Sequence, residues 1–314
     1  MKTRAVLMES FNDAPHLVEI DMPEPADDQV LVRIHAASVN AFDWKVAEGR
    51  FKDMFEYCFP VTIGRDYAGV VEQVGTAVEG VASGDAVVGY TTGRELSAGS
   101  YADRILVRDG DCFVSKPAAL PFVEAACLPL CGMVAYRCVD AVAPKAGERH
   151  LVLGAPGGAG SYAVQLLAAR DAHVIASGLA EDEEYLRDLG AAEVVDYRHG
   201  VELDEPLDGL VDLVQYRDAF TDLARRLLRE GGRAASLHRA ADPELLGPLG
   251  VTGTNVHSGP DRELLARIVA DAADGTLRVP VRRVFPLEDA PHALDVLRDE
   301  HARGKFALSL VDPK

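Results

Sequence analysis

Residues 151–170 read LVLGAPGGAGSYAVQLLAAR. An apolar run ends on glycines, and a second apolar run with helical spacing starts directly after them. A strand that enters a helix through so tight a glycine turn admits few folds. In a βαβ unit, Gly157 lets the backbone approach a pyrophosphate, and Gly160 lets the helix pack close to the strand. The unpaired N–H groups that begin the helix then hold the phosphates. Gly154, Ala155, Pro156, Gly157, Gly158, Ala159 and Gly160 are therefore the expected cofactor-binding turn. Taken alone, the same letters also describe an ordinary strand-to-helix turn.

The residues that follow favour the dinucleotide reading. HVIAS, DEEYLRDLG, EVVDY, LVDLV, AFTDLARRLLREGG and RAASL alternate strand and helix patterns, as βαβ units on a parallel sheet do. FVEAACLPLCGMVAYRCVDAV, from residue 122, reads as one helix. The first hundred residues have another texture: RAVLM, QVLVRIHAASV, YAGVVEQVG, DAVVGY and YADRILV are short strand-like runs divided by Gly, Pro and Asp. After residue 258 a helix stops at Gly275, and strand, helix and strand follow. With 314 residues the chain suits two domains.

The second strand of the βαβ series ends at Ser177-Gly178, where an acid would bind the ribose 2′-hydroxyl of NAD. Gly178 there leaves room for the 2′-phosphate of NADP. Tyr197 and Arg198, after the third strand, are the candidate phosphate contacts. The reading leans to NADPH, with NADH possible. Glu181-Asp182-Glu183-Glu184 reads as an acidic first helical turn.

Formal net charge is −18, which argues against nucleic acid and against an anionic membrane surface. No run reaches the length of a membrane span, and the N-terminal stretch lacks a signal-peptide core. The five cysteines are odd in number and form no Cys-x-x-Cys, which fits a reduced, cytoplasmic protein.

Several stretches together resemble the medium-chain dehydrogenase/reductase superfamily, in its zinc-free quinone-oxidoreductase branch. They include SVNAFDWK (38–45), PVTIGRDYAGVVEQVGTAVEGVASGDAVVG (60–89), AACLPLCGMVAY (125–136), GAPGGAGSYAVQL (154–166), REGGR (229–233) and RGKFALSL (303–310). The resemblance implies an α/β protein. A GroES-like, β-rich catalytic domain spans 1–122 and 279–314, and a Rossmann, doubly wound parallel-sheet domain spans 123–278. It also implies an active site in the cleft, hydride transfer from a nicotinamide to quinones or to the C=C bond of enones, and a homodimer.

In zinc-dependent relatives the catalytic metal ligands fall near Asn40, at Arg65 and at Cys131. Only Cys131 suits a metal, and Arg65 is a permanent cation. The cysteine-bearing lobe of those relatives is replaced by the short YTTGRELSAGS. A metal-free site follows. Without a Lewis acid the acceptor must already be electron-poor, and its developing oxyanion needs hydrogen-bond donors and then a proton. Asn40, Tyr67 and Arg65 are the expected catalytic residues. Asn40 would donate from its amide or else fasten a loop; Tyr67 would give a proton or pack; Arg65 would hold an anion or pair with Asp66. Tyr57 and Tyr90 are lesser proton donors, Asp43 is read as structural, and Lys305 as a phosphate contact or a solvated side chain.

Three positions depart from the family pattern. Val134 replaces a hydroxyl residue, LVQYRDAF (213–220) lacks a glycine after the fourth strand, and Asp171 replaces a glycine before the second. These departures leave a second function open: a cofactor-binding or non-redox protein on the same fold.

Overall fold

The structure is a computed structural model that describes residues 1–11, 13–91 and 95–311, with His199 through its backbone alone. Residues 92–94, within the YTTGRELSAGS stretch, lie outside the described residues. In chain order the elements are β1 (Lys2–Met8), β2 (His16–Asp21), β3 (Gln29–Val39), α1 (Ala41–Ala47), β4 (Glu56–Tyr57), β5 (Val61–Thr62), β6 (Asp66–Val74), β7 (Ala86–Tyr90), β8 (Glu95–Leu96), β9 (Arg104–Arg108), β10 (Cys112–Ser115), α2 (Phe122–Ala126) and α3 (Pro129–Val142). Then come β11 (Arg149–Leu153), α4 (Gly158–Ala168), β12 (His173–Gly178), α5 (Glu183–Asp188), β13 (Glu193–Asp196), β14 (Leu207–Asp212), α6 (Arg217–Leu227), β15 (Leu228–Ser236), α7 (Pro243–Leu246), β16 (Thr252–Asn255), α8 (Arg262–Ala273), β17 (Val281–Pro286), α9 (Ala290–Asp299) and β18 (Lys305–Ser309).

Two compact units result: residues 1–130 with 259–314, and residues 131–258. In the first, the largest sheet runs β10-β7-β6-β3-β18-β17, with β9 also paired to β3. β18 lies antiparallel on β3, Phe306 opposite Val39, so the end of the chain completes the sheet begun by its start. Inward residues from several strands, among them Val6, Ile34, Tyr67, Phe113, Phe306 and Leu308, fill its core. The sheet of the second unit runs β13-β12-β11-β14-β15-β16, every pair parallel. This is the doubly wound order 3-2-1-4-5-6, which places the first strand, β11, beside the point where the order reverses. Leu151, Leu153, Ile175, Leu210 and Phe220 form its core.

The structure corrects several sequence expectations. The helix expected from residue 122 is two, α2 and α3, parted just before Pro129, whose predecessor is disfavoured in the helical region. Helix α6 ends at Leu227, and LREGG belongs to β15, where Gly231 takes φ +77. The first unit includes α2 and α8, so its limits differ from 122 and 279. Strands β2, β4, β5, β8 and β10 are short or poorly alternating and were not marked by pattern. Asp171 does take the left-handed φ of +56 that its place before β12 requires. Among the described residues, no helix is long and apolar enough to cross a membrane.

Candidate active site and cofactor cradle

In the second unit β11 ends at Gly154, at φ +78, and α4 begins at Gly158. At the start of α4 the Ser161 N–H donates to the Gly157 carbonyl at 2.8 Å. By helix geometry the amides of Gly158, Ala159 and Gly160, ahead of it, have no i−4 partner within the helix. The two key glycines differ in what surrounds them. A Cβ on Gly160 would lie 2.1 Å from the Gly154 oxygen and 2.7 Å from Ala155 Cα. Gly160 thus sets the close packing of helix on strand. A Cβ on Gly157 would meet only the Gly154 oxygen, at 3.4 Å. Gly157 is not needed for the chain's own packing, and it leaves open a cradle beside the helix N-terminus. Such a cradle fits the pyrophosphate of a nicotinamide dinucleotide.

Ser177 fastens this turn: its Oγ accepts from the Gly154 N–H at 3.1 Å. Gly178 does not leave the room expected of it. Its missing side chain is replaced by Leu186 Cδ1, 2.6 Å from an added Cβ, and by Asp182, whose carboxylate accepts from the Leu179 N–H at 2.7 Å. Gly178 and Asp196 are register partners on neighbouring parallel strands, and Tyr197 and Arg198 follow Asp196. Both are exposed, and the Arg198 guanidinium is paired with Asp196. The glycine missing after β14 is compensated by Asp212, whose Oδ1 accepts from the N–H groups of Val214 and Gln215, each at 2.9 Å. A carboxylate closes the turn that a glycine would otherwise make.

In the first unit, β3, α1, β6 and β18 bring Ser38, Asn40, Asp43, Asp66, Tyr101 and Lys305 into one buried polar network. Asp66 Oδ2 accepts from Ser38 Oγ at 2.7 Å and from Asn40 Nδ2 at 3.0 Å, and Oδ1 accepts from the Leu130 N–H at 3.1 Å. Asn40 Nδ2 also donates to Ser38 Oγ at 2.9 Å, while Lys305 Nζ donates to Asn40 Oδ1 and, at 3.4 Å, to Ser38 Oγ. Asp43 Oδ2 accepts from the Asn40 N–H at 2.8 Å and from the Tyr101 hydroxyl at 3.1 Å. Burial pushes the Asp66 carboxyl up, against the pull of the Lys305 charge. Burial, then the neighbouring Asp66 charge, raises Asp43 to about 7.

These contacts correct the expected roles. Asn40, 2% exposed, spends its amide inside the network and fastens the start of α1. Lys305 is neither solvated nor a phosphate contact but a buried cation, also 2% exposed. No sequence signal tied it to Asn40. Tyr67 faces the core of the sheet. Its hydroxyl has no hydrogen-bond partner among the described residues, and a Cβ on Gly89 would lie 2.2 Å from it. Burial, with Asp111 nearby, raises that hydroxyl's pKa further. We expect Tyr67→Phe to keep full activity and to match or exceed the native thermal midpoint, because removing an unsatisfied buried hydroxyl is neutral to stabilising. Thermal melts and steady-state rates check this. Tyr57, half-buried, donates to the Val46 carbonyl at 3.2 Å.

Arg65 and Asp66 do not pair. The Arg65 guanidinium lies over the rings of Phe42 at 4.7 Å, Phe55 at 5.2 Å and Tyr90 at 5.6 Å. Its Nη1 donates to the Thr91 carbonyl at 2.8 Å. Among the described residues its Nε and Nη2 have no acceptor. The cation is held by aromatic faces rather than by a carboxylate. Arg65 and Asp43 both line a cavity of about 20 Å³, shared with Phe42, Thr62, Thr91 and Ser97.

Comparison with known proteins agrees with this geometry. Residues 26–118 match the alcohol dehydrogenase GroES-like domain, and residues 189–308 match the zinc-binding dehydrogenase family. A quinone-oxidoreductase homologue from spinach chloroplasts is 34% identical over 64% of this chain, a match that spans 63% of the spinach protein. The chloroplast envelope quinone oxidoreductase homologue of Arabidopsis thaliana is 33% identical over 94% of this chain and 93% of its own. This chain belongs to the medium-chain dehydrogenase/reductase superfamily, in its quinone-oxidoreductase-like branch. The quinone oxidoreductase structure from Coxiella burnetii overlays this medium-chain reductase with a TM-score of 0.89 at 25% identity, covering 99% of this chain and all of the other. A member of this superfamily is an oxidoreductase that uses a nicotinamide cofactor, which is the group the Gly157 cradle fits.

Proposed function

We propose that this protein is an NAD(P)H-dependent reductase of quinones or of the C=C bond of α,β-unsaturated carbonyl compounds, acting without a metal. The observation that carries the reading is the contrast between Gly160, filled by the chain's own backbone, and Gly157, left open beside the start of α4. When bound, the nicotinamide supplies hydride. The chain's residues hold its phosphates, orient the acceptor and receive charge. Arg65 stands where zinc-dependent relatives place a metal ligand, and a buried guanidinium repels a cation there. Its Nε and Nη2, without an acceptor among the described residues, suit the negative charge that develops on a carbonyl oxygen. Arg65 stays in the proposed site; Asn40 and Tyr67 do not. The compensated turn at Asp212 weakens the non-redox alternative.

The finer readings belong to the same proposal. NADPH is favoured as donor, because no acid ends β12 and Arg198 stands exposed after the adjacent strand. Its pair with Asp196 is a surface one, worth little, so a phosphate can recruit it. Arg198→Ala is expected to raise KM for NADPH roughly tenfold while leaving that for NADH unchanged. Steady-state titration of both nucleotides checks it; equal effects on the two assign Arg198 elsewhere. β16 is paired on one side only among the described residues, where a second copy can add in a homodimer. Five free thiols suit a cytoplasmic setting. The whole reading is tested by nucleotide oxidation against a panel of quinones and enones in metal-free buffer. Absence of turnover with every acceptor, or recovery of turnover by added zinc, rejects it.

A further inference from the structure

Arg65 is a buried cation, 5% exposed, with no carboxylate paired to it among the described residues. Asp43 and Glu95 line the same cavity, but the Asp43 carboxylate is engaged by the Asn40 N–H and the Tyr101 hydroxyl, and Glu95 is an exposed residue of β8. Burying a guanidinium is costly, and the rings of Phe42, Phe55 and Tyr90 offset part of that cost. Rings cover the faces of a guanidinium. They accept nothing from its N–H groups, which lie in its plane. Nη1 donates to the Thr91 carbonyl. Nε and Nη2, without an acceptor among the described residues, make up one whole edge. Along that edge two N–H bonds run parallel, the fork that grips two oxygens set side by side.

The cavity that Arg65 lines is also bordered by Thr62, Thr91 and Ser97, whose hydroxyls make it polar. At about 20 Å³ it takes a group the size of one water and not a ring. An acceptor can offer such a place only a small polar end.

Resting on the reductase reading above, we propose that Arg65 selects acceptors in which a carboxylate adjoins the carbonyl, the 2-oxo-3-enoate class, by holding one oxygen of each group on its Nε–Nη2 edge. A neutral enone gives that edge one oxygen. A 2-oxo-3-enoate gives it two, one of them already charged, and the bond between carbonyl and carboxylate sets them side by side. Hydride from the reduced nicotinamide, which is oxidised, forms a C–H bond at the β-carbon. The C=C electron pair moves toward the carbonyl and leaves negative charge on its oxygen, where the guanidinium meets it. A proton from solvent then forms a C–H bond at the α-carbon, which gives the saturated 2-oxo acid. The same fork thus fixes the acceptor before reduction and holds it more strongly as charge develops.

The test uses the full chain, NADPH and two acceptors that differ in one substituent: benzylidenepyruvate, which carries the carboxylate, and benzylideneacetone, which has a methyl group in its place. Native kcat/KM should favour the keto acid on the order of a hundredfold, as charge-assisted bonds allow. Arg65→Lys keeps the charge and loses the planar edge, so the preference should fall to roughly tenfold or less. Arg65→Met suits the aromatic seat and has no N–H, so the preference should vanish. Calorimetry with the saturated keto acid, 2-oxo-4-phenylbutanoate, in the presence of NADP+ reads the same contact without turnover. It should show binding to the native protein and binding at least roughly tenfold weaker to Arg65→Met. The proposal is overturned if the native protein uses the two acceptors equally well or fails to bind the saturated keto acid. It is also overturned if Arg65→Met keeps the native preference or the native affinity. No turnover of either acceptor would instead defeat the reductase reading, and calorimetry would then decide the anion site by itself.

Discussion

Gly160→Ala is expected to lower the thermal midpoint by roughly 5–10 °C and to abolish nucleotide binding together with activity. The cause is one methyl group. It would stand 2.1 Å from the Gly154 oxygen and 2.7 Å from Ala155 Cα, and both are backbone atoms of the turn itself. No rotamer relieves such a contact, so α4 must move away from β11. That movement has two costs. It opens packing between α4 and the sheet, where Tyr162, Ala163, Val164 and Leu167 are fully buried. It also carries the helix-start amides away from the place Gly154, at φ +78, fixes for them. Stability and binding therefore fall together. Differential scanning calorimetry and isothermal titration with NADPH measure the two. A variant with native stability and native affinity would show that the turn is not what positions the helix.

Much of this was legible in the sequence, because the glycine turn works through neighbours in the chain. Gly154, Gly157 and Gly160 act on one another within seven positions, so their spacing carries their geometry. The parallel sheet was legible for a similar reason: each βαβ unit is a local alternation of period. The network around Asn40 was not. Lys305 reaches Asn40 across 265 positions, and nothing in RGKFALSL tells a buried cation from a solvated one. Tyr67 was misplaced because its side of β6 follows from Asp66, whose place in the network the sequence did not mark. Successive strand residues face opposite sides, so with Asp66 in the polar network, Tyr67 must point into the core. Gly178 shows the converse limit. A glycine at a strand end reads as empty space, yet Leu186 and Asp182 fill it from the next helix. Arg65 lay between these cases. Its permanent charge was evident and bore on a metal; its aromatic seat on Phe42, Phe55 and Tyr90 gathers residues from three segments.

The companion substitution, Gly157→Val, should separate what Gly160→Ala joins. Gly157 has φ −71 and ψ 175, a conformation open to any L-residue, and it caps α4. A Cβ there meets no atom closer than 3.4 Å. Valine is a poorer cap than glycine by about 1 kcal/mol, partly offset by the smaller entropy of its unfolded chain. The folded protein should thus melt within a few degrees of the native one. The isopropyl group, however, occupies the cradle beside the amides of Gly158, Ala159 and Gly160. Losing two charge-assisted bonds to a pyrophosphate weakens binding on the order of a thousandfold. Nucleotide affinity and kcat/KM should collapse while the thermal midpoint hardly changes. Native turnover in Gly157→Val would mean that the open space at the start of α4 holds nothing the reaction needs, and the nicotinamide would have to bind elsewhere.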